Sequence, residues 1–417
     1  MTTPQNAGNA SGGATRRTIL RGMAATPFAL AAAELAAPAV AHAVEPYGLV
    51  ISNSPTWVPS GPYTSGIQAL RAEGLPRVGV DDVLADLNHD AVRVRTVPGL
   101  PSGRLGYGFR WRRTDFRTPR WRPQGITTNF DGWGRDATGP DSGTGKKVVL
   151  VSWYATDDAD SGLGARVTFV DITNRSRPRY RHVLLIQPYN IRGGDYTFGT
   201  ARIHAGGIAW YGNRLYIADT NNGLRVYNLD DMFKVPRGSG IGRQEDGSFH
   251  AYGYEYVLPQ SRDYLFTDPN HRLSRYSQVA VDRTTSPHTL LVSEFHERDE
   301  PADTVMRAVR WNLHPTSGAL VPVDSESRVY STGVAEIRNA RQTQGAVSAG
   351  GRYYLSISNG TGGRGYLRTW QEGSTSPAAR GWRLPIGPED LSHHGGTGRL
   401  WGLNEYERNR YVFAMEP

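Results

Sequence analysis

Ser277-Gln278-Val279-Ala280, followed by a run that ends Leu290-Leu291-Val292-Ser293-Glu294, decides the reading of the fold. It pairs a polar residue before a short apolar strand with a second strand that ends on another polar residue. The same grammar recurs four more times. Pro123-Gln124-Gly125-Ile126 is answered by a run ending at Trp153, and Gly206-Gly207-Ile208-Ala209 by one ending at Asp219. Thr343-Gln344-Gly345-Ala346 is answered at Ser358, and Glu389-Asp390-Leu391-Ser392 at Asn404. Four of the five pairs are 13 to 16 residues apart; in the first the gap widens to 29. Repetition of two-strand units at this spacing marks a radially repeated β-sheet architecture.

Around these units the pattern stays β. Short runs rich in Val, Ile, Tyr, Trp and Thr alternate with turns of Gly, Asn, Asp and Pro, and no helical crossovers of 10–15 residues separate them, which excludes a parallel α/β fold. The expected fold is all-β, a five-bladed β-propeller. Blade five runs out of chain at Pro417 one strand short, and Leu105–Trp111 is the expected filler that closes the ring. Uneven spacing between the blade openings leaves six or seven blades, or a β-sandwich, open. Residues 105–417 are assigned to the propeller and 44–104 to an N-terminal extension. In the extension, Ile67–Arg71 and Val80–Leu87 carry apolar residues at helical spacing.

Residues 1–43 read as an export leader. Thr15-Arg16-Arg17-Thr18-Ile19-Leu20-Arg21 matches a twin-arginine motif, an alanine-rich segment follows, and Ala41-His42-Ala43 offers a small-x-small cleavage site. The expected location is secreted, extracellular, by the twin-arginine route, with no membrane span in the mature chain. With no cysteine in the chain, a secreted fold cannot use disulfides and must rest on its core. The formal charge of +8 is almost all arginine, since Lys146, Lys147 and Lys234 are the lysines. A local cluster, Arg110, Arg112, Arg113, Arg117, Arg120 and Arg122, interleaves with Phe109, Trp111, Phe116 and Trp121. It is read as one edge strand with rings inward and guanidinium groups in water, not as a nucleic-acid surface. Likewise Asp86, Asn88, His89 and Asp90 lack the spacing of a calcium loop and read as a helix end.

In a propeller the start of each first strand and the end of each second strand share one face. The candidate ligand-binding residues at the channel mouth are therefore Gln124, His204, Gln278, Gln344 and Asp390 from one column, and Trp153, Asp219, Glu294 and Asn404 from the other. Glu389, Tyr154 and Glu405 stand one residue from these columns. Asp219, Glu294 and Asp390 are the candidate metal ligands, with calcium the cofactor that carboxylates and amide oxygens would admit. No nucleophile elbow, HExxH or phosphate loop is present, so no catalytic residue is assigned. Polar residues at strand ends also serve simply to join blades.

The Gln-Gly openings at 124–125 and 344–345 resemble those of extracellular five- and six-bladed propellers of the NHL and gluconolactonase-like kinds, and of plant-type glutaminyl cyclases. The whole is most similar to twin-arginine-exported propellers of high-GC Gram-positive bacteria, which implies no defined reaction. The expected function is binding of an extracellular small molecule or polysaccharide, a glycan, peptide or envelope component, by a monomer with no nucleic-acid partner. The alternative is a hydrolase or lyase, calcium-assisted, that uses the mouth carboxylates.

Overall fold

The computed structural model describes residues 47–54, 62–130, 145–156, 161–191, 194–266, 273, 275–323 and 327–417. The expected leader over 1–43 lies outside them. Five antiparallel four-stranded units follow one another. Their inner strands are Trp121–Thr128, Ile208–Tyr211, Tyr276–Asp282, Thr343–Ala349 and Pro388–His394. Each inner strand pairs with the strand that follows it, as Ile126 with Val151, Ile208 with Ile217, Val279 with Val292, Ala346 with Leu355 and Leu391 with Gly402. The inner strands touch in a closed cycle, one to two, two to three, three to four, four to five and five back to one. The fold is a five-bladed β-propeller. Blade five is completed by Leu105–Arg110, where Phe109 lies opposite Val412 of the last strand. No edge is left where the ring closes.

The small residues of the openings have a steric cause. A Cβ on Gly125 would stand 2.4 Å from the Gly206 carbonyl oxygen, and one on Gly345 would stand 2.6 Å from the Leu391 nitrogen. Neighbouring inner strands approach so closely that only hydrogen fits between them. Apolar clusters between blades supply the core, such as the one that joins Trp111, Trp153 and Trp401 across blades five and one.

The extension wraps the rim. Helix α1 (Tyr63–Ala72) buries Ile67 and Leu70 against the outer strand of blade one at Leu184 and Ile186, and α2 (Val80–Ala85) buries Val80, Val83 and Leu84. Gly48–Ser52 pairs with the outer strand of blade two, Tyr256–Phe266. That outer strand starts parallel to blade one, with Val257 opposite Leu184, and then pairs with Gly223–Asn228 of its own blade. The arginine-rich stretch is not the single edge strand expected of it. It leaves the closing strand, turns through α3 (Arg113–Arg117) and enters blade one at Trp121, with Phe109, Trp111 and Trp121 all buried. Among the described residues no helix is long and apolar enough to cross a membrane.

Candidate functional site

Register decides what faces the channel. Gly345 lies opposite Ser356 and Gln278 opposite Ser293, while Gly125 donates its N–H to Ser152 Oγ at 2.8 Å. One ring of equivalent positions is therefore Gly125, Gly207, Gln278, Gly345 and Asp390. The ring one residue earlier, nearer the mouth, is Gln124, Gly206, Ser277, Gln344 and Glu389. The expected column took Gln124 and Gln344 from the second ring but Gln278 and Asp390 from the first. In a strand, a slip of one residue turns a side chain to the other face.

The deeper ring is structural. A Cβ on Gly207 would meet Gln278 Cα at 2.5 Å, and one on Gly345 would meet Asp390 Cα at 2.7 Å, so the glycines make room for these two residues. Asp390 Oδ2 accepts the N–H groups of Ile126 at 2.9 Å and Ile208 at 3.1 Å, and Oδ1 accepts Leu391 N–H at 2.8 Å. One carboxylate thus ties blades five, one and two at the channel wall. Burial raises its pKa against the opposing pull of those amides. Gln278 is fully buried and neither of its amide atoms has a hydrogen-bond partner among the described residues.

The second column is displaced in the same sense. Trp153 packs in the core beside Trp111, with ring centroids 4.9 Å apart, so it is not a stacking surface at the mouth. Asp219 is held by Arg225 at 2.7 Å, and Glu294 receives Arg307 through Nη2 at 2.6 Å and Nε at 2.8 Å. Asn404 accepts Tyr411 N–H at 2.9 Å and donates to the Ile386 carbonyl. Asp219, Glu294 and Asp390 each have their own partners and do not share a site. Among the described residues, they form no cluster with metal-ligand spacing. The residues one place later, Tyr154, Thr220, Phe295 and Glu405, lie on the channel side.

The mouth itself is a depression of about 450 Å³ whose lining includes Gln124, His204, Thr220, Ser277, Phe295 and Gln344. His204 is solvent-exposed at the rim and stacks on Tyr154 with centroids 4.1 Å apart. The surrounding protein and the Arg122 guanidinium lower its pKa to about 4, so the ring is neutral at pH 7.

Below the rim, Glu389 and Glu405 are both buried and hydrogen-bonded to each other. Gln124 Nε2 donates to Glu405 Oε2 at 3.1 Å, while Glu389 Oε1 has no hydrogen-bond partner. Burial, and then the charge of Glu405, push the Glu389 carboxyl well above its ordinary range. Burial also raises Glu405, against the pull of Arg122, Tyr406 and Gln124. Two like charges this close cannot both persist, so the pair holds one proton between them. Arg122 and Tyr406 line a second cavity of about 550 Å³, while Gln124, the hydrogen-bond partner of Glu405, lines the mouth. Glu389, Glu405 and Arg122 were not among the expected site residues. Their signal was position alone, since Glu389 and Glu405 each stand one place from a named residue.

No protein-family model matches the chain, and no curated protein matches it. Among solved structures it is similar to a GH43_1 enzyme from Xanthomonas citri complexed with xylotriose, at 12% identity over 85% of this chain and 93% of that one, TM-score 0.36. It is also similar to the Myceliophteria thermophila Cps50 (Swd1) β-propeller domain, at 9% identity over 77% and 100%, TM-score 0.32. A GH43 β-xylosidase/α-arabinofuranosidase from a compost microbial metagenome aligns at 11% identity over 72% and 92%, TM-score 0.32. Likeness at this level carries no functional argument, and the propeller stands on the strand pairing of the chain itself.

Proposed function

We propose that the channel mouth binds a small, neutral, polyhydroxylated ligand of the sugar class, presented outside the cytoplasm if the leader acts as its sequence suggests. The observation that carries this reading is the division of labour among the polar groups. The acids further out are already neutralised by arginine, whereas the mouth offers amides, hydroxyls and rings, and the one guanidinium in its lining, Arg275, is ion-paired with Glu297 at 2.6 Å. Gln124 and Gln344 supply amides, Ser277 and Thr220 hydroxyls, and Phe295 and the Tyr154–His204 stack flat apolar faces. Hydroxyl groups both donate and accept, which matches amides and hydroxyls better than fixed charges do. The test is calorimetric titration with neutral mono- and oligosaccharides. Saturable binding that is lost in Gln344→Ala and retained in a distant surface variant supports the reading, and no heat from any neutral saccharide rejects it.

A second reading, acid–base catalysis, is favoured by one observation, the buried Glu389–Glu405 pair, which holds a proton between its two carboxyls. Its geometry does not suit ordinary glycoside cleavage. The two carboxyl groups of a glycosidase stand roughly 5–9 Å apart so that sugar or water fits between them. Glu389 and Glu405 are in hydrogen-bond contact. They match a proton-sharing dyad better, and loss of any measured turnover in Glu389→Gln at unchanged ligand affinity would establish that role.

A further inference from the structure

A second group of chemistry-bearing side chains lies far from the mouth, where the extension meets the rim of blade one. His89 comes from the two-residue strand His89–Asp90, Asp115 from α3, and His182 from the outer strand Arg179–Asn190. One ligand atom of each lies within 4.8 Å of the others. The backbone holds them there, since His89 pairs opposite Tyr180. Rings surround them, with Tyr180 5.1 Å from His89 and 5.3 Å from His182, and Trp153 5.9 Å from His182.

The buried atoms at the centre are poorly matched to one another. His182 Nδ1 is 2.7 Å from Thr168 Oγ1, and its Nε2, fully buried, has no well-formed hydrogen bond among the described residues, only Asp115 Oδ1 at 3.4 Å. Asp115 Oδ2 is well used, by Tyr180 Oη at 2.5 Å and Arg112 Nε at 3.1 Å. Oδ1 faces His182 Nε2 at 3.4 Å and Arg166 Nη2 at 3.6 Å, both beyond a good hydrogen bond. In the tautomer where Nδ1 donates to Thr168, Nε2 turns its lone pair to a carboxylate oxygen. Acceptor then faces acceptor, and a cation between them converts repulsion into two bonds. Two ligands on one tetrahedral zinc at about 2.0–2.1 Å stand roughly 3.3 Å apart, so the 3.4 Å spacing already fits.

We propose that His89, Asp115 and His182 bind a zinc ion that clamps the extension to blade one. His89 is only half-buried, so it is the mobile ligand and water fills the fourth position from its side. The contacts of Asp115 with Tyr180 and Arg112 orient the carboxylate as outer partners do in zinc sites. Arg112 and Arg166 add positive charge nearby and set the affinity below that of a site without them. In a chain without cysteine, the clamp takes the place that a disulfide would hold.

The test uses the tag-free full chain, stripped with EDTA, dialysed and titrated with zinc chloride by calorimetry, with melting curves at each stage. The expected result is one equivalent bound and a higher melting temperature with zinc than with EDTA. His89→Ala should weaken binding by at least about 100-fold, and its melting temperature should no longer differ between zinc and EDTA. A His314→Ala control at an exposed imidazole should change neither. No stoichiometric zinc binding by the folded parent chain, binding of full strength in His89→Ala, or saturation by calcium but not zinc would each overturn the proposal. Sugar binding at the mouth is a separate readout and does not bear on this outcome.

Discussion

Blades two and three treat their buried acids differently from blade five. Asp219 has Arg225, Glu294 has Arg307, and Asp282 has Arg310 at 2.7 Å, which reaches on to Tyr353 and Ser348 of blade four. Blade five buries Glu389 with another acid, Glu405, and a proton shared between them offsets the charge that the nearby Arg122 guanidinium does not. A buried ion pair closes its own account locally and leaves nothing for a ligand to engage. A shared proton leaves a carboxyl oxygen of Glu389 without a partner among the described residues, so acid–base chemistry would sit where blade five meets blade one, beside the mouth that blades one to four line.

The largest effect should come from breaking the ion-pair side of that contrast. Arg307→Met leaves Glu294, which is fully buried, with His296 at 3.3 Å as its remaining partner, and denaturant unfolding should lose about 3 kcal/mol. A loss below about 1 kcal/mol would mean that blade three does not depend on the pair. Next comes Gly345→Ala, whose methyl would press on the Leu391 nitrogen and the Asp390 backbone. Overpacking against backbone should cost about 1–3 kcal/mol in the same measurement, and a neutral result would show that blades four and five can part.

Glu389→Gln should act through pH. The unfolded carboxyl releases its proton near 4.5, whereas the folded one keeps it well above that value. Its contribution to stability is complete below the unfolded value and is lost as pH climbs towards the folded one. The parent should therefore lose this contribution as pH rises above about 4.5, and Glu389→Gln should flatten that fall. His204 and His394, lowered to about 4, act with the opposite sign, gaining stability as pH rises from there to about 6.5. The slope difference between variant and parent is thus the quantity to compare. An identical slope would remove Glu389 as the proton carrier. The smallest effect is expected for Gln278→Met, which trades two unpartnered amide atoms for a thioether of similar length. The change should lie within about 1 kcal/mol of neutral, and a larger loss would show that Gln278 holds something in the channel.

The five openings were legible because close packing at the axis demands small residues there, and Gly125 and Gly345 report that demand directly. Helices α1 and α2 were legible from the spacing of Ile67, Leu70, Val80, Val83 and Leu84. The arginine cluster misled, since alternation of rings and charges looks alike in one strand and in two strands joined by a turn. The site columns were misplaced by one residue in part, because bulges such as those between Pro123 and Ile126, and between Tyr276 and Gln278, shift the phase of each strand. A period of two has no memory across a bulge.

By itself the sequence determined the repeat, the all-β class and the neighbourhood of the mouth, since these follow from local pattern and from the absence of side chains where strands crowd. Only the tertiary structure decided which acids met arginine and which met each other. It also decided that His89, from an unremarkable helix end, faces Asp115 and His182. Those pairings join residues far apart in the chain, and the energy of a buried charge depends on its neighbours in space, which no local pattern records.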